Sequence, residues 1–211
     1  MSDPYTKSEK DYLLTRGCLE VIANYNYPVH ITTKSNLILR DIDLLEEINK
    51  IYASVAITIT TSDDNLASYV EPYAPSSTDR FKALGILSTI GICTSITMMP
   101  ILPFLEDTEK NILDIVDKAN YYGVKYIVPW FGISLRDRQR DYFYKCLDKS
   151  FPGVKERYKK RYGNRYKCSC RNMKKLMYVL SDACTKYNIS LKMPTYKEKL
   201  TAVQLSMLNK F

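Results

Sequence analysis

Residues 54–61, SVAITITT, constrain the fold more than any other stretch of the chain. Eight small and β-branched residues in a row, with no charge and no turn former, make a buried strand. Its alternation gives two faces, with Val55, Ile57 and Ile59 on one and Ala56, Thr58 and Thr60 on the other. A buried face that carries hydroxyls suits a strand whose inner side meets a polar ligand. The run therefore reads as the central parallel strand of a barrel sheet. Amphipathic segments and short apolar runs alternate on either side of it, which is the βαβα pattern of a parallel α/β fold.

Before this strand, residues 10–24 place Leu14, Cys18, Val21 and Tyr25 at helical spacing, widened by Leu19 and Ile22, and Tyr27-Pro28 stops the helix. Val29, Ile31 and Thr33 then alternate with His30 and Thr32 in a strand that ends in Thr33-Lys34-Ser35. A lysine at the carboxyl end of a parallel strand is placed to meet an anionic group. A second amphipathic helix over 41–52 turns Leu44, Leu45, Ile48, Ile51 and Tyr52 inward.

After the central strand, Glu71-Pro72 and Ala74-Pro75 stiffen a polar connection, EPYAPSSTDR over 71–80. Ser76 with Asp79 three residues on resembles a capping box for a helix over 78–90, which Gly91 ends. A strand over 92–99 runs into PILP at 100–103. Asp107 is placed to cap the next helix, which turns Ile112, Ile115, Val116 and Ala119 inward and stops at Gly123. Residues 124–129 form a fourth strand leading to Trp130-Phe131-Gly132. Four parallel strands that begin after a helix leave one sheet edge uncovered, so the chain reads as part of a larger barrel.

Composition narrows the class. With 211 residues, 45% hydrophobic and 26% charged, the chain can bury one sizeable core. No run of about twenty apolar residues occurs and the first ten residues are polar, so neither a membrane span nor a signal peptide is expected and the expected compartment is the cytoplasm. Six cysteines, at 18, 93, 146, 168, 170 and 184, are too sparse for a disulfide framework and read mostly as reduced core residues. His30 is the single histidine and has no Cys or Ser partner for triad chemistry, and Asp63-Asp64 lacks a third ligand for a metal.

The blocks MSDPYTKSEK, ITTKSNLILRDIDLL, ITITTSDDNL, EPYAPSSTDR, MMPILPFLED and FGISLRDRQRDYFY, in that order and spacing, resemble the radical-SAM proteins related to spore photoproduct lyase. The resemblance runs from residue 1 to about 187. It implies a partial (β/α) barrel in which a Cys-x-x-x-Cys-x-x-Cys loop after the first strand chelates a 4Fe-4S cluster that binds and cleaves S-adenosylmethionine. Carried over by position, it implies cofactor contacts at Ser2, Asp3, Lys34, Thr58 and Thr60. Ser2 and Lys34 fall near the amino and carboxylate end, and the two threonines fall beside the ribose. The sequence departs from the pattern in having no Cys-x-x-x-Cys-x-x-Cys. In the family that loop precedes the position of Met1, so the expected fold is a radical-SAM barrel lacking its first strands. Cys168-x-Cys170 with Cys184 is the one local grouping that could stand in for it.

Beyond residue 135 composition shifts. We expect a barrel over 1–135, a basic helical C-terminal extension over 136–194 and a tail over 195–211. Between 145 and 175 stand 12 lysines and arginines against Asp148 and Glu156, a net +10 that exceeds the +8 of the whole chain. Lys155, Arg157, Lys159, Lys160, Arg161 and Arg165 are candidates for phosphate contacts with DNA or RNA, with Tyr158, Tyr162 and Tyr166 as faces for base stacking. A solvated basic face is the other reading of the same residues. Gln204, Leu205, Met207 and Leu208 resemble the bacterial pattern that docks on the replication sliding clamp. Two functional readings follow, one an enzyme fragment that lacks its cluster and is inactive alone, the other a non-catalytic barrel remnant that binds nucleic acid.

Overall fold

The computed structural model describes residues 3–196. Ser2 and the clamp-like motif at Gln204, Leu205, Met207 and Leu208 lie outside the described residues. In chain order the elements are α1 (Glu9–Tyr12), α2 (Leu14–Asn24), β1 (Val29–Thr33), a 3-10 turn (Asn36–Asp41), α3 (Ile42–Asn49), β2 (Ala53–Thr58), α4 (Asp64–Val70) and α5 (Ser77–Thr89). They continue as β3 (Cys93–Ile101), α6 (Glu109–Tyr121), β4 (Tyr126–Ser134), α7 (Asp137–Ser150), α8 (Val154–Tyr162), β5 (Lys167–Ser169) and α9 (Met173–Lys186). The fold is mixed α/β, with one five-stranded sheet in the order β1-β2-β3-β4-β5. The first four strands are parallel.

β2 is interior to the sheet but second in its order rather than central, ends at Thr58 rather than Thr61, and has all six of its residues buried. Its two faces separate as the alternation predicts. Val55 and Ile57 join Ile31, Ile96 and Ile127 in the main core under the helices. The opposite face is lined with hydroxyls: the register sets Ala56 beside Ser95 and Thr58 beside Thr97, and Ser54 Oγ lies 3.2 Å from Tyr126 Oη.

The helices differ from expectation in instructive ways. The expected helix over 10–24 breaks at Leu13, which adopts φ 54°. Of the two apolar stripes on α2, the core takes Leu19, Ile22 and Ala23, so Leu14, Cys18, Val21 and Tyr25 face solvent rather than the sheet. The helix expected over 41–52 starts as a 3-10 turn and ends at Asn49, leaving Ile51 exposed. Asp41 is withdrawn from capping because its buried carboxylate accepts from Tyr5 Oη, Arg16 and Arg40, which ties the N-terminal segment to the turn after β1. Ser76 caps α5 as predicted, accepting from Asp79 N and donating to the Asp79 carboxylate. The cap of α6 is Thr108 and not Asp107, because Asp107 accepts from Phe104 N inside the preceding turn.

After β3 and β4 the chain adds a strand that the sequence did not suggest. β5 pairs antiparallel with the end of β4, Gly132 opposite Ser169. Gly132 has φ 148°, and a Cβ there would fall 2.8 Å from the Cys168 carbonyl oxygen, so only glycine lets β5 approach this closely. α7, α8 and β5 enclose a second apolar cluster of Leu135, Tyr144, Leu147, Val154, Tyr158, Tyr162 and Cys168. α9 instead packs Leu176, Leu180 and Cys184 into the main core.

Candidate functional site

The carboxyl ends of the parallel strands open into a cavity of about 970 Å³, lined by Asp3, Lys34, Thr60, Glu71, Tyr73, Leu102 and Phe143 among others. Parallel sheets bind ligands at this end because strand carboxyl ends and their loops converge there. Three of the residues expected to contact a cofactor therefore meet in one place. Thr58 lies on the hydroxyl-lined inner face but does not line the cavity.

Each polar group in the site has a definite partner. Asp3 is an anchor: its carboxylate accepts from Thr33 Oγ1 at 2.6 Å, Lys34 N at 2.7 Å and Tyr5 N at 2.8 Å, clamping the incoming chain to the end of β1. Lys34 Nζ reaches Glu71 Oε1 at 2.5 Å, and Arg80 Nη1 reaches Glu71 Oε2 at 2.6 Å. Arg80 is buried, donates to the Pro75 and Thr58 carbonyls, and so fixes the 71–80 connection onto β2. Burial works to raise the Glu71 pKa, but Arg80 and Lys34 outweigh it and hold the carboxyl below its ordinary value.

Behind Thr60 lies a carboxyl that no sequence signal marked. Glu106 is fully buried and accepts from Thr60 Oγ1 at 2.6 Å and from Leu102 N at 2.7 Å. Asn111 braces it by donating to the Thr60 and Glu106 carbonyls. Burial pushes the Glu106 carboxyl up to about 7, since neither hydrogen bond replaces the lost hydration of the anion and Glu71 adds repulsion.

The thiols do not assemble into a metal centre among the described residues. Cys168, Cys170 and Cys184 are buried in apolar clusters, and burial raises all three pKa values, that of Cys184 to about 11. An iron-sulfur cluster needs thiolates, so these residues do not fit it. Only three of the six cysteines are buried; Cys18 and Cys146 are exposed, against the expectation of a mostly core set. His30 is exposed on β1, its Nε2 3.2 Å from Thr32 Oγ1. Asp63 caps α4 and Asp64 accepts from Thr78 N, so the acidic pair serves helix ends.

In the basic segment, α8 turns Lys159, Lys160 and Arg161 to solvent, and Arg165 follows exposed. Lys155 pairs with Asp148, and the Arg157 guanidinium lies 4.3 Å from the centre of the Phe104 ring. The stacking expectation fails at two of three positions. Tyr158 and Tyr162 complete a buried i, i+4, i+8 stripe with Val154, and only Tyr166 is exposed.

No protein-family model matches the chain. It is 36% identical over 127 residues to an uncharacterized protein of Methanocaldococcus jannaschii, a match covering 60% of this chain and 48% of that one. It is 27% identical over 162 residues to an uncharacterized protein of Mycobacterium tuberculosis, covering 76% and 47%. The chain thus spans about half the length of the curated relatives it matches. Among solved structures its fold is similar to that of spore photoproduct lyase complexed with dinucleoside spore photoproduct, at TM-score 0.61 and 14% identity, covering 83% of this chain and 54% of that one. At that identity the likeness concerns the fold. No helix among the described residues is long and apolar enough to cross a membrane.

Proposed function

We propose that this chain is the cofactor-facing part of a radical-SAM-type barrel and that its cavity holds S-adenosylmethionine. The observation that carries this is the pairing of Lys34 with Glu71 at the cavity wall. An ammonium and a carboxylate on one wall complement the carboxylate and ammonium of an α-amino acid, and the ligand's two charges can exchange for the internal pair. Thr60 lines the cavity, keeps acceptor lone pairs while donating to Glu106 and is available to ribose hydroxyls, whereas Thr58 lies off the cavity wall. Asp3 acts by positioning Lys34. In a complete enzyme of this type the cofactor supplies a carbon-centred radical. The cysteines of this chain do not fit the required cluster, so no radical step is assigned to it and it is expected to be inactive alone. The fold likeness to spore photoproduct lyase supports the reading.

Isothermal titration of the purified chain with S-adenosylmethionine tests it. Saturable binding is expected, weakened about tenfold by Lys34→Ala or Glu71→Gln, the loss of one charge-assisted contact. Absence of saturation at millimolar ligand, or equal affinity in both variants and the parent, overturns the proposal.

The second reading is a nucleic-acid-binding surface without catalysis. It is favoured by the exposed Lys159, Lys160, Arg161 and Arg165, none of which meets a carboxylate among the described residues. Contact through charge alone would be independent of sequence and sensitive to salt.

A further inference from the structure

The wall of the cavity and the buried carboxyl behind it are one hydrogen bond apart. Thr60 lines the cavity, and its Oγ1 lies 2.6 Å from Glu106 Oε1. Leu102, on the same wall, gives its N–H to Glu106 Oε2 at 2.7 Å. Among the described residues no other donor reaches this carboxyl, and Glu106 is the one side-chain partner of Thr60 Oγ1. Thr60 has a single hydrogen to give. When Glu106 is ionised, that hydrogen points back to the carboxylate, and Thr60 offers the cavity lone pairs alone. When Glu106 is protonated, Leu102 N–H keeps Oε2 as its acceptor, so the acid proton sits on Oε1 and is donated to Thr60 Oγ1. The threonine hydrogen is then released toward the cavity.

We propose that Glu106 is a positioning residue for the cavity ligand: carrying its proton, it turns Thr60 into a donor to a ligand oxygen, so that ligand binding takes up a proton. The assignment rests on the reading of the cavity as the site of a nucleoside-bearing amino acid, and it fixes the polarity of the contact at Thr60. Two features favour the protonated form in the complex. A ligand that fills the cavity displaces the water around Thr60, the side chain that links the carboxyl to solvent, and so makes the anion costlier still. The charges that face Glu106 do not counter this. Glu71 raises its pKa and Lys34 lowers it. A ligand's ammonium and carboxylate engage these two together, so their opposed effects leave together. The Cys170 thiol also faces Glu106 from beyond β5, but burial pushes its pKa far up and it stays neutral. Asp107, next in the chain, is turned to Phe104 N. The free carboxyl, raised to about 7 by burial, is divided between its two forms near neutral pH and responds to a ligand there.

Isothermal titration with S-adenosylhomocysteine, which keeps the α-amino acid and the ribose and lacks the sulfonium charge, reads the coupling. In the parent, affinity should fall about fivefold from pH 6 to pH 8, the change for a carboxyl that the ligand raises by roughly one pH unit. Titrations in phosphate and in Tris at about pH 7.5 should differ by the heat of roughly half a proton taken up per ligand. Glu106→Gln fixes the donor form, because Leu102 N–H takes the amide oxygen and leaves the NH2 group to donate to Thr60 Oγ1. The variant should bind at pH 8 as tightly as the parent does at about pH 6. Its proton uptake, subtracted from the parent's, removes any contribution of the ligand's own amino group. Should the variant fail to fold by circular dichroism, the pH profile and proton uptake of the parent decide alone. An affinity that is flat with pH, as for a glutamate that only supports its turn, or proton release in place of uptake, overturns this proposal and leaves the cofactor site standing. Absence of saturable binding of S-adenosylhomocysteine overturns it as well, and S-adenosylmethionine titrated beside it then shows whether the cofactor site falls too.

Discussion

Replacing Glu106 with Gln should remove a pH dependence from the stability of this protein, and the sign follows from the direction of the carboxyl's pKa. In the unfolded chain a glutamate titrates near its ordinary value of 4.5; in the fold, burial raises it to about 7. A raised acid pKa means the folded state holds its proton where the unfolded state has released it. The favourable condition is therefore low pH, and stability falls as pH climbs from 4.5 through about 7. With 1.36 kcal/mol per pKa unit, the full penalty above pH 8 is about 3 kcal/mol, of which about 2 kcal/mol develops between pH 5.5 and pH 8.

The amide introduced by Glu106→Gln can accept from Leu102 N and leave its other atom toward Thr60 Oγ1, so the two hydrogen bonds are retained in kind while the ionisation is lost. Urea unfolding of parent and variant at pH 5.5 and pH 8 measures the effect. The variant should gain about 2 kcal/mol relative to the parent between the two pH values. His30, whose pKa is lowered by partial loss of hydration at the sheet edge, titrates in both proteins and cancels in the difference. Glu71 and Lys34, the charges that act on Glu106, are likewise common to both. A parent-minus-variant difference that stays constant with pH would refute the assignment of a buried, late-titrating carboxyl to this position.

Arg140 is buried and donates to the carbonyl oxygens of Leu135, Gly163, Asn164 and Arg165, so it holds the end of α8 against the second apolar cluster. Arg140→Ala should cost about 2 to 4 kcal/mol in denaturant unfolding, while Arg138→Ala, exposed on the same helix, should cost little. Changing Lys159, Lys160 and Arg161 together to Ala should lower affinity for single-stranded DNA and reduce the slope of log affinity against log salt by about 2. Fluorescence anisotropy at three or more salt concentrations reads both quantities. Binding that the triple change leaves untouched removes α8 from the interface.

What the sequence made legible depended on whether one physical demand acted alone at a position. Residues 54–61 carry no charge, no glycine and no competing stripe, so strand β2 and the separation of its faces could be read directly. Ser76 and Asp79 satisfy each other at fixed spacing, which made the start of α5 equally plain. On α2 two apolar stripes compete, and no local rule says which one the sheet will take; the core chose Leu19, Ile22 and Ala23. β5 is three residues with lysine at its head inside a basic run, and its existence depends on the room left by Gly132, thirty-six residues earlier than Cys168.

The same distinction governs the site. Lys34 could be singled out because the end of a parallel strand is a functional position in this class of fold, and the cavity does gather Asp3, Lys34, Thr60 and Glu71. Glu106 could not, because a carboxylate in a polar Leu-Glu-Asp turn is ordinarily solvated. It is buried only because the turn after β3 folds back to give it Leu102 N on one side and Thr60 Oγ1 on the other. Tyr158 and Tyr162 show the reverse case. Their spacing among Lys159, Lys160 and Arg161 fits a stacking platform and a buried stripe equally well, and Val154 decides it by extending the apolar positions to three turns. Packing beneath α8 removes these rings from any ligand and leaves charge as the means by which that helix can hold a nucleic acid. A nucleic acid held through α8 is therefore expected to be read by its backbone phosphates rather than by base identity.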